Sequence, residues 1–238
     1  MSRSDDAPVP VVDPAAPHPD HRRVVALVTG VAAAVLFVLL RVTIALEGEE
    51  PLAVDQWWHD LIVDGRSDVL VAVAHVPAVG GGTIGMILVG TLLIVVFSVL
   101  HRKWDAINVG AAIVIVVAIG APMASVIGRE RPTDSLAEVV DTSFPSGHTA
   151  VATTVMLTLA LLLRRWYVWA AAVFWALLMA WSRTYLSAHW LTDVVGGLLE
   201  GIAVACLVWV AVEALRDRRA RVHLEDPDRP GEPPTITR

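Results

Sequence analysis

Long apolar runs dominate the pattern of hydrophobic and polar positions along the chain. Six of these runs are long enough to cross a bilayer as helices, because about 20 apolar residues span the hydrocarbon core, and each is bounded by Arg, Lys, Asp or Trp. The pattern therefore predicts an all-α fold, a polytopic membrane helix bundle with six transmembrane helices. The predicted spans are residues 24–46, 80–100, 106–127, 147–163, 167–186 and 190–213.

Shorter segments flank and interrupt these spans. Residues 66–79 are apolar but too short to cross a bilayer, so they predict a short helical segment on the outer face. Residues 1–20 and 216–238 are polar and rich in proline or charge, so we expect disordered tails on either side of one membrane domain, residues 21–215. A cleaved signal peptide is the alternative for the first run, but no clear small-residue cleavage site follows it.

Basic residues mark alternate ends of the predicted spans. Because Lys and Arg in short loops stay on the cytoplasmic side, this bias predicts that both termini are cytoplasmic. The acidic segment 47–68, the loop 128–146 and the turn 182–193 then lie on the outer face. The basic residues that carry the bias are Arg22, Arg23, Arg102, Lys103, Arg164, Arg165, Arg216, Arg218, Arg219 and Arg221.

Composition narrows the functional classes. The chain is 55% hydrophobic and 18% charged, well outside the average for a soluble domain, which argues against an ordinary cytosolic enzyme. Its formal charge of -6 argues against a nucleic-acid partner and leaves membrane lipids as the expected surroundings. The single cysteine, Cys206, has no partner for an intrachain disulfide or a structural zinc site.

The first candidate cluster closes the third predicted span. It holds two guanidinium groups, Arg129 and Arg131, on the outer face, where the charge bias disfavours them. An anionic ligand would compensate these charges. Surface salt bridges with Glu130 or Asp134 are the alternative.

The second cluster, Pro145-Ser146-Gly147-His148, opens the fourth predicted span. A helix that begins there points unpaired backbone N–H groups and its positive dipole end at the outer face, and Gly147 leaves room for close approach. These features are typical of an anion site. Taken alone, His148 could equally be an interfacial histidine.

The third cluster comprises Ser182, Arg183, His189 and Asp193. His189 and Asp193 are four residues apart, so on a helix they share a face and the carboxylate can accept a hydrogen bond from one ring nitrogen. An imidazole held in this way can attack phosphorus, because the carboxylate stabilises the imidazolium that forms. A structural histidine beside a helix-start carboxylate is the alternative, although it would not explain Arg183.

These residues resemble the type-2 phosphatidic acid phosphatase superfamily, the membrane lipid phosphatases related to non-specific acid phosphatases and vanadium haloperoxidases. The resemblance covers residues 24–213. The second and third motifs match at every defining position: Pro145, Ser146, Gly147 and His148, then Ser182, Arg183, His189 and Asp193. In the first motif, a lysine followed after six residues by Arg-Pro, Arg131 and Pro132 match, but Ala124 stands at the lysine position.

The resemblance implies a role for each matching residue. His189 would be the nucleophile that forms a phosphohistidine, Asp193 would orient it, and His148 would protonate the leaving oxygen. Arg131, Arg183, Ser146 and the backbone of Gly147 would hold the phosphoryl oxygens, with no metal or other cofactor. The implied substrate is a lipid monophosphate or diphosphate. A site on the outer face suits recycling of a carrier lipid, so a polyprenyl diphosphate is slightly favoured over phosphatidic acid or phosphatidylglycerol phosphate.

The departure at Ala124 leaves other functions open. Arg129 is a candidate to replace the missing lysine, because it lies two residues before Arg131 and the remaining lysine, Lys103, is on the predicted cytoplasmic side. Without a replacement, the chain could bind a lipid phosphate and not turn it over. A lipid phosphotransferase is a third possibility, and Arg41 and Glu200 within spans raise that of a transporter, although the paired broken helices typical of one are not evident.

Overall fold

The computed structural model describes residues 20–137 and 142–225, and these residues form eight α-helices and no strand. An isolated antiparallel bridge pairs Glu130 with Thr142 across the loop that follows the fifth helix. The helices are α1 His21–Leu46, α2 Ala53–Asp64, α3 Asp68–Gly80, α4 Thr83–Val99, α5 Lys103–Val126, α6 Gly147–Leu163, α7 Trp166–Tyr185 and α8 Leu191–Glu225. The all-α prediction is confirmed for this part of the chain.

Each predicted span coincides with one helix, α1 or one of α4 to α8. Of the described helices, three are long and apolar enough to cross a membrane: α1, α5 over Lys103–Met123, and α8 over Leu191–Val222. The pair α3 and α4, bent by 46°, would make a fourth if it is one broken span. The crossing of all six therefore stays a prediction, as does the outer-face position of α3, which forms in the segment predicted as a short helix.

The last helix is longer than its sequence pattern predicted. α8 continues to Glu225, so residues 216–225, assigned to a disordered tail, are helical. Ion pairs with α1 account for part of this extension, because Arg23 binds Asp217 and lies 3.5 Å from Glu213. The same segment contains four arginines, one alanine and one leucine, which favour helix. Residues 1–19 and 226–238, the rest of the predicted tails, lie outside the described residues.

The core lies where α5, α6, α7 and α8 meet. Ala112, Val155, Met179 and Val208, one from each helix, belong to the same buried apolar cluster. Two glycines of α8 allow α6 to approach closely. A Cβ at Gly197 would lie 2.6 Å from the Ser146 carbonyl oxygen, and a Cβ at Gly201 would lie 2.6 Å from Thr153 Cβ, so larger residues there would force the helices apart.

The helix α2 was not predicted. It begins after Leu52, whose backbone N–H donates to the Asp55 carboxylate at 3.0 Å, and this contact satisfies a donor that a helix start leaves unpaired. Ile62 at its other end packs against Ala74 of α3 and against Tyr185 and Leu186 at the end of α7. α2 and α3 therefore cover the end of the bundle at which α7 ends and α8 begins.

Candidate active site

His189 occupies the short turn between α7 and α8, and its side chain is buried, with 4% of the residue exposed. Its Nδ1 atom lies 2.7 Å from the carbonyl oxygen of Ser143. A carbonyl can only accept a hydrogen bond, so Nδ1 carries the proton and donates it. Nε2 therefore keeps its lone pair, as a nucleophile requires.

Arg131 faces the free side of this imidazole. Its guanidinium Nη1 lies 3.3 Å from His189 Nε2, and the same nitrogen donates to the carbonyl oxygen of Ala188. A phosphoryl group that approaches Nε2 would thus meet the positive charge of Arg131 first. Arg183, in the last turn of α7, is buried, with 1% of the residue exposed.

These surroundings shift the acid–base equilibrium of His189. Burial lowers the pKa of its imidazole most strongly, because a buried imidazolium loses its hydration. The Asp193 carboxylate opposes this shift, whereas the positive charges of Arg131 and Arg183 lower the pKa further. The His189 imidazole therefore stays neutral to a lower pH than an ordinary histidine.

Asp193 lies beside His189, but the two do not share the expected hydrogen bond. Asp193 Oδ2 is 3.8 Å from His189 Nδ1, beyond hydrogen-bonding distance. It accepts instead from the backbone N–H of Trp190 at 2.8 Å, and this contact caps the start of α8. The Nδ1 proton is already held by Ser143, so the carboxylate acts on the ring through its charge.

Arg129 is placed differently from the sequence expectation. Its side chain is fully buried, and it donates to Asp193 Oδ1, to Thr192 Oγ1 at 2.8 Å and to Asp55 Oδ2 at 2.6 Å. Both terminal nitrogens are therefore committed to protein acceptors. Because its charge is already compensated by carboxylates, Arg129 is not available to replace the missing lysine at a phosphate.

Asp55 is the site residue that sequence reasoning missed. It is fully buried at the start of α2, and its Oδ1 accepts from the backbone N–H of Thr192 at 2.8 Å. The available signal was Pro51 followed by an acid within the first turn, a pattern typical of a helix start. That pattern predicts a capping role and does not reveal the contact with α8.

The Pro-Ser-Gly-His motif forms the start of α6, as predicted. Ser146 is the residue immediately before the helix, and its side chain makes no capping hydrogen bond. Its backbone N–H donates to the Asp193 carbonyl oxygen at 3.1 Å, which joins the starts of α6 and α8. Its hydroxyl is buried 3.0 Å from Thr149 Oγ1. Gly147 borders open space, because a Cβ there would come no closer than 3.9 Å to its nearest neighbour, Thr83 Oγ1.

His148 packs against the break between α3 and α4. A Cβ added to Gly82 would lie 2.8 Å from both Cδ2 and Nε2 of the His148 ring. The backbone of this break therefore lies close to the imidazole and leaves no room for a side chain at position 82.

Ala124, at the lysine position of the first motif, lies in the last turn of α5. The one lysine of the chain, Lys103, begins the same helix. At 1.5 Å per residue this separates Lys103 from the site end of α5 by roughly 30 Å. Lys103 therefore cannot replace the missing cation.

A polar network on the same end of the bundle ties three segments together. Asp134 accepts from Arg66 at 2.9 Å and from Ser187 Oγ at 3.0 Å, and it lies 3.2 Å from His59 Nε2. Arg66 follows α2, Asp134 lies in the loop after α5, and Ser187 lies in the turn that carries His189. The network helps to fix the backbone of the turn that carries His189.

Comparison with known proteins confirms the resemblance read from the motifs. Residues 105–217 match the model of the PAP2 superfamily. A protein of Escherichia coli K12, YbjG, provisionally named as an undecaprenyl-diphosphatase, is 32% identical over 119 residues, 44% of this chain and 58% of that protein. The undecaprenyl-diphosphatase of Sulfolobus acidocaldarius is 28% identical over 124 residues, 49% of this chain and 59% of that protein. The matches thus span about three fifths of the length of these curated relatives.

A solved structure shares the fold. The crystal structure of a transmembrane PAP2-type phosphatidylglycerolphosphate phosphatase from Bacillus subtilis covers 80% of this chain and 96% of its own, with a TM-score of 0.68 and 22% identity. At that identity the likeness shows the fold alone. With its long apolar helices and this shared transmembrane fold, the chain is an integral membrane protein.

Proposed function

We propose that this chain, whose residues 105–217 carry the PAP2 superfamily region, is a membrane phosphatase that hydrolyses a lipid monophosphate or diphosphate. The observation that carries the proposal is the state of His189. Its Nδ1 proton is held by the Ser143 carbonyl, and its Nε2 faces the Arg131 guanidinium at 3.3 Å. A nucleophile with a fixed tautomer beside a phosphate-binding cation is the arrangement that phosphoryl transfer to histidine needs.

The proposed reaction has two steps. His189 Nε2 attacks phosphorus, the N–P bond forms as the bond to the leaving oxygen breaks, and His148 gives that oxygen a proton. Water then attacks the phosphohistidine, His148 takes the proton from water, and the N–P electron pair returns to Nε2 as phosphate leaves. Arg131, Arg183 and the N-terminal N–H groups of α6 stabilise the charge on the phosphoryl oxygens.

Asp193 has an electrostatic role in this scheme. When Nε2 forms its bond to phosphorus, the imidazole ring becomes positive, and a buried carboxylate 3.8 Å from Nδ1 stabilises that charge. Residues of the chain thus supply the nucleophile, the acid and the phosphate-binding groups, and we propose that no metal takes part.

The substrate class is proposed from the relatives. One curated relative is named an undecaprenyl-diphosphatase and the other carries that name provisionally, which favours a polyprenyl diphosphate over phosphatidic acid or phosphatidylglycerol phosphate. For the diphosphate the leaving group is a lipid monophosphate, and for the other two substrates it is a lipid alcohol.

The proposed orientation places the site at the outer leaflet. The basic residues at alternate span ends support six membrane crossings with both termini in the cytoplasm. In that arrangement the ends of α5 and α7 and the starts of α6 and α8, which carry the site, all face outward. Cysteine labelling from the outside of cells tests this orientation, at Gly48 on the outer side and at Arg218 on the inner side.

Phosphate release by the purified protein in detergent tests the function. We expect release from a polyprenyl diphosphate, at a rate unaffected by a chelator, and loss of release in His189→Ala. Phosphatidic acid and phosphatidylglycerol phosphate serve as the competing substrates. Release that persists in His189→Ala, or that a chelator abolishes, would contradict the proposed mechanism.

A second candidate, a lipid-phosphate binder without turnover, is favoured by one observation, the alanine at position 124. It predicts saturable binding of the lipid phosphate with no phosphate released. A phosphotransferase would instead pass the phosphoryl group to an added alcohol, so product analysis in the presence of a lipid alcohol separates it from the phosphatase.

A further inference from the structure

Three charged side chains form one buried chain of contacts from α2 to the nucleophile. Arg129 donates to Asp55 at 2.6 Å and to Asp193 Oδ1, and the side chains of all three residues are fully buried. Asp193 in turn lies 3.8 Å from His189 Nδ1. No family motif includes Asp55, which lies outside the matched region 105–217.

The formal charge of this group does not cancel. Two carboxylates share one guanidinium, so Asp55, Arg129 and Asp193 together carry one negative charge, taking both carboxylates as ionised. If Asp193 alone faced Arg129, the pair would be neutral and would offer the ring of His189 little stabilisation. Because Arg129 is also engaged by Asp55, part of the Asp193 charge remains available to the imidazole.

Hydrogen bonds also hold the Asp55 carboxylate in place within this group. Asp55 Oδ1 accepts from the backbone N–H of Thr192, and Asp55 Oδ2 accepts from Leu52 N and from Thr192 Oγ1. These bonds lock the start of α2 onto the first turn of α8, beside Asp193. A buried carboxylate with this many donors has little freedom to turn.

We infer that Asp55 and Arg129 are positioning residues for the reaction, which hold the Asp193 carboxylate beside His189 and keep a net negative charge there. The inference rests on the proposed function for its effect on turnover. Through Asp55, α2 then supports the reaction, although neither Asp55 nor Arg129 is proposed to contact the reacting phosphate. Their charges act through Asp193.

Variants that change the net charge of Asp55, Arg129 and Asp193 in known steps test this inference. Asp55→Asn leaves the group neutral, Arg129→Gln leaves two negative charges, and the double variant restores one. We expect Asp55→Asn to reduce kcat about tenfold or more at nearly constant KM, by analogy with partners that orient catalytic ligands. Asp60→Asn, which removes the same charge from an exposed position of α2, is the matched control and should change kcat less than twofold.

The pKa of the His189 imidazole gives a second readout that needs no substrate. The charged groups near the ring are Asp193 on α8, Arg131 after α5 and Arg183 on α7. In protein labelled with ¹³C-histidine, we expect Asp55→Asn to lower this pKa, Arg129→Gln to raise it, and the double variant to restore it. Loss of local structure would instead move all three variants in the same direction, towards the value of an exposed histidine.

The two readouts separate failure of this inference from failure of the proposed function. An inactive native protein whose His189 pKa still follows the charge of the group would refute the phosphatase and retain the positioning role. An active protein in which Asp55→Asn behaves like Asp60→Asn would overturn the inference. So would a double variant more impaired than either single one. A double variant that fails to fold would also overturn it, since loss of a matched pair of buried charges is often tolerated.

Discussion

The guanidinium of Arg131 lies 3.3 Å from the Nε2 atom of His189, on the side of the ring that carries the lone pair. The opposite nitrogen, Nδ1, is bound to the Ser143 carbonyl. In the proposed mechanism, a phosphoryl group bound by Arg131 therefore lies within reach of the Nε2 lone pair. The two residues are 58 positions apart in the chain. Arg131 lies in the loop after α5, and His189 lies in the turn before α8.

Removal of the Arg131 charge should cost much of the activity. We expect Arg131→Gln to lower kcat/KM by about 10² to 10³, the loss found when one group that stabilises an oxyanion is removed. The matched control is Arg218→Gln, an exposed arginine in the last part of α8. Phosphate release by the two variants, purified in the same detergent, is the measurement, and equal rates would contradict the assigned role.

A lysine at position 124 should increase the rate. Ala124 stands in the last turn of α5, where the family pattern has a phosphate-binding lysine. A positive group added near the phosphoryl oxygens stabilises the transition state, so we expect Ala124→Lys to raise kcat/KM about tenfold or more. Ala121→Lys, an exposed position one turn earlier, controls for added charge at this end of the helix. An unchanged rate in Ala124→Lys would mean that the site no longer needs this cation.

The pH dependence of kcat/KM should reflect the neutral state of His189. Burial, together with the charges of Arg131 and Arg183, lowers the pKa of this imidazole, so it loses its proton at a lower pH than an ordinary histidine. The acidic limb of the profile should therefore fall below about pH 6.5. In Arg131→Gln the limb should move to higher pH, because one positive charge near the ring is gone. A limb above the ordinary histidine value would contradict this assignment.

Two glycines at the break between α3 and α4 should respond differently to substitution by alanine. A Cβ at Gly82 would lie 2.8 Å from the His148 ring and 2.5 Å from the Ala78 carbonyl oxygen, whereas a Cβ at Gly80 would meet nothing within 4 Å. We expect Gly82→Ala to displace His148 and to lower kcat about tenfold, by the loss of general acid catalysis. Gly80→Ala should retain activity within about twofold, since it adds no contact. Equal effects in both variants would show that the contact with His148 does not matter for turnover.

The sequence predicted the apolar helices well, because run length alone identifies a helix that can lie in a bilayer. The predicted fourth span, residues 147–163, has the same bounds as α6. α2 was missed because it has only 12 residues, and its acidic and tryptophan side chains give it the composition of an acidic loop. The end of α8 was missed because its charged residues resemble those of a disordered tail, although Arg216 and Asp217 form ion pairs.

Local spacing predicted which residues lie close together at this end of the bundle, but not all of their partners. The spacing of four residues predicted that His189 and Asp193 lie side by side, and they are 3.8 Å apart, although His189 precedes α8 and the expected hydrogen bond is not formed. The partners of Arg129 lie 64 and 74 positions away, at Asp193 and Asp55, and a contact at that separation leaves no periodic signal. The same limit applies to the hydrogen bond between His189 and the Ser143 carbonyl, which replaced the one expected with Asp193.

The central claim, that His189 forms a covalent bond to phosphorus, is tested most directly by trapping the intermediate. The native protein is mixed with a polyprenyl diphosphate labelled in its terminal phosphate, quenched in alkali, digested, and mapped by mass spectrometry beside His189→Ala. We expect the label on the peptide that carries His189, formed before free phosphate accumulates and lacking in the variant. Steady phosphate release with no label on that peptide, or release that continues in His189→Ala, would contradict the claim.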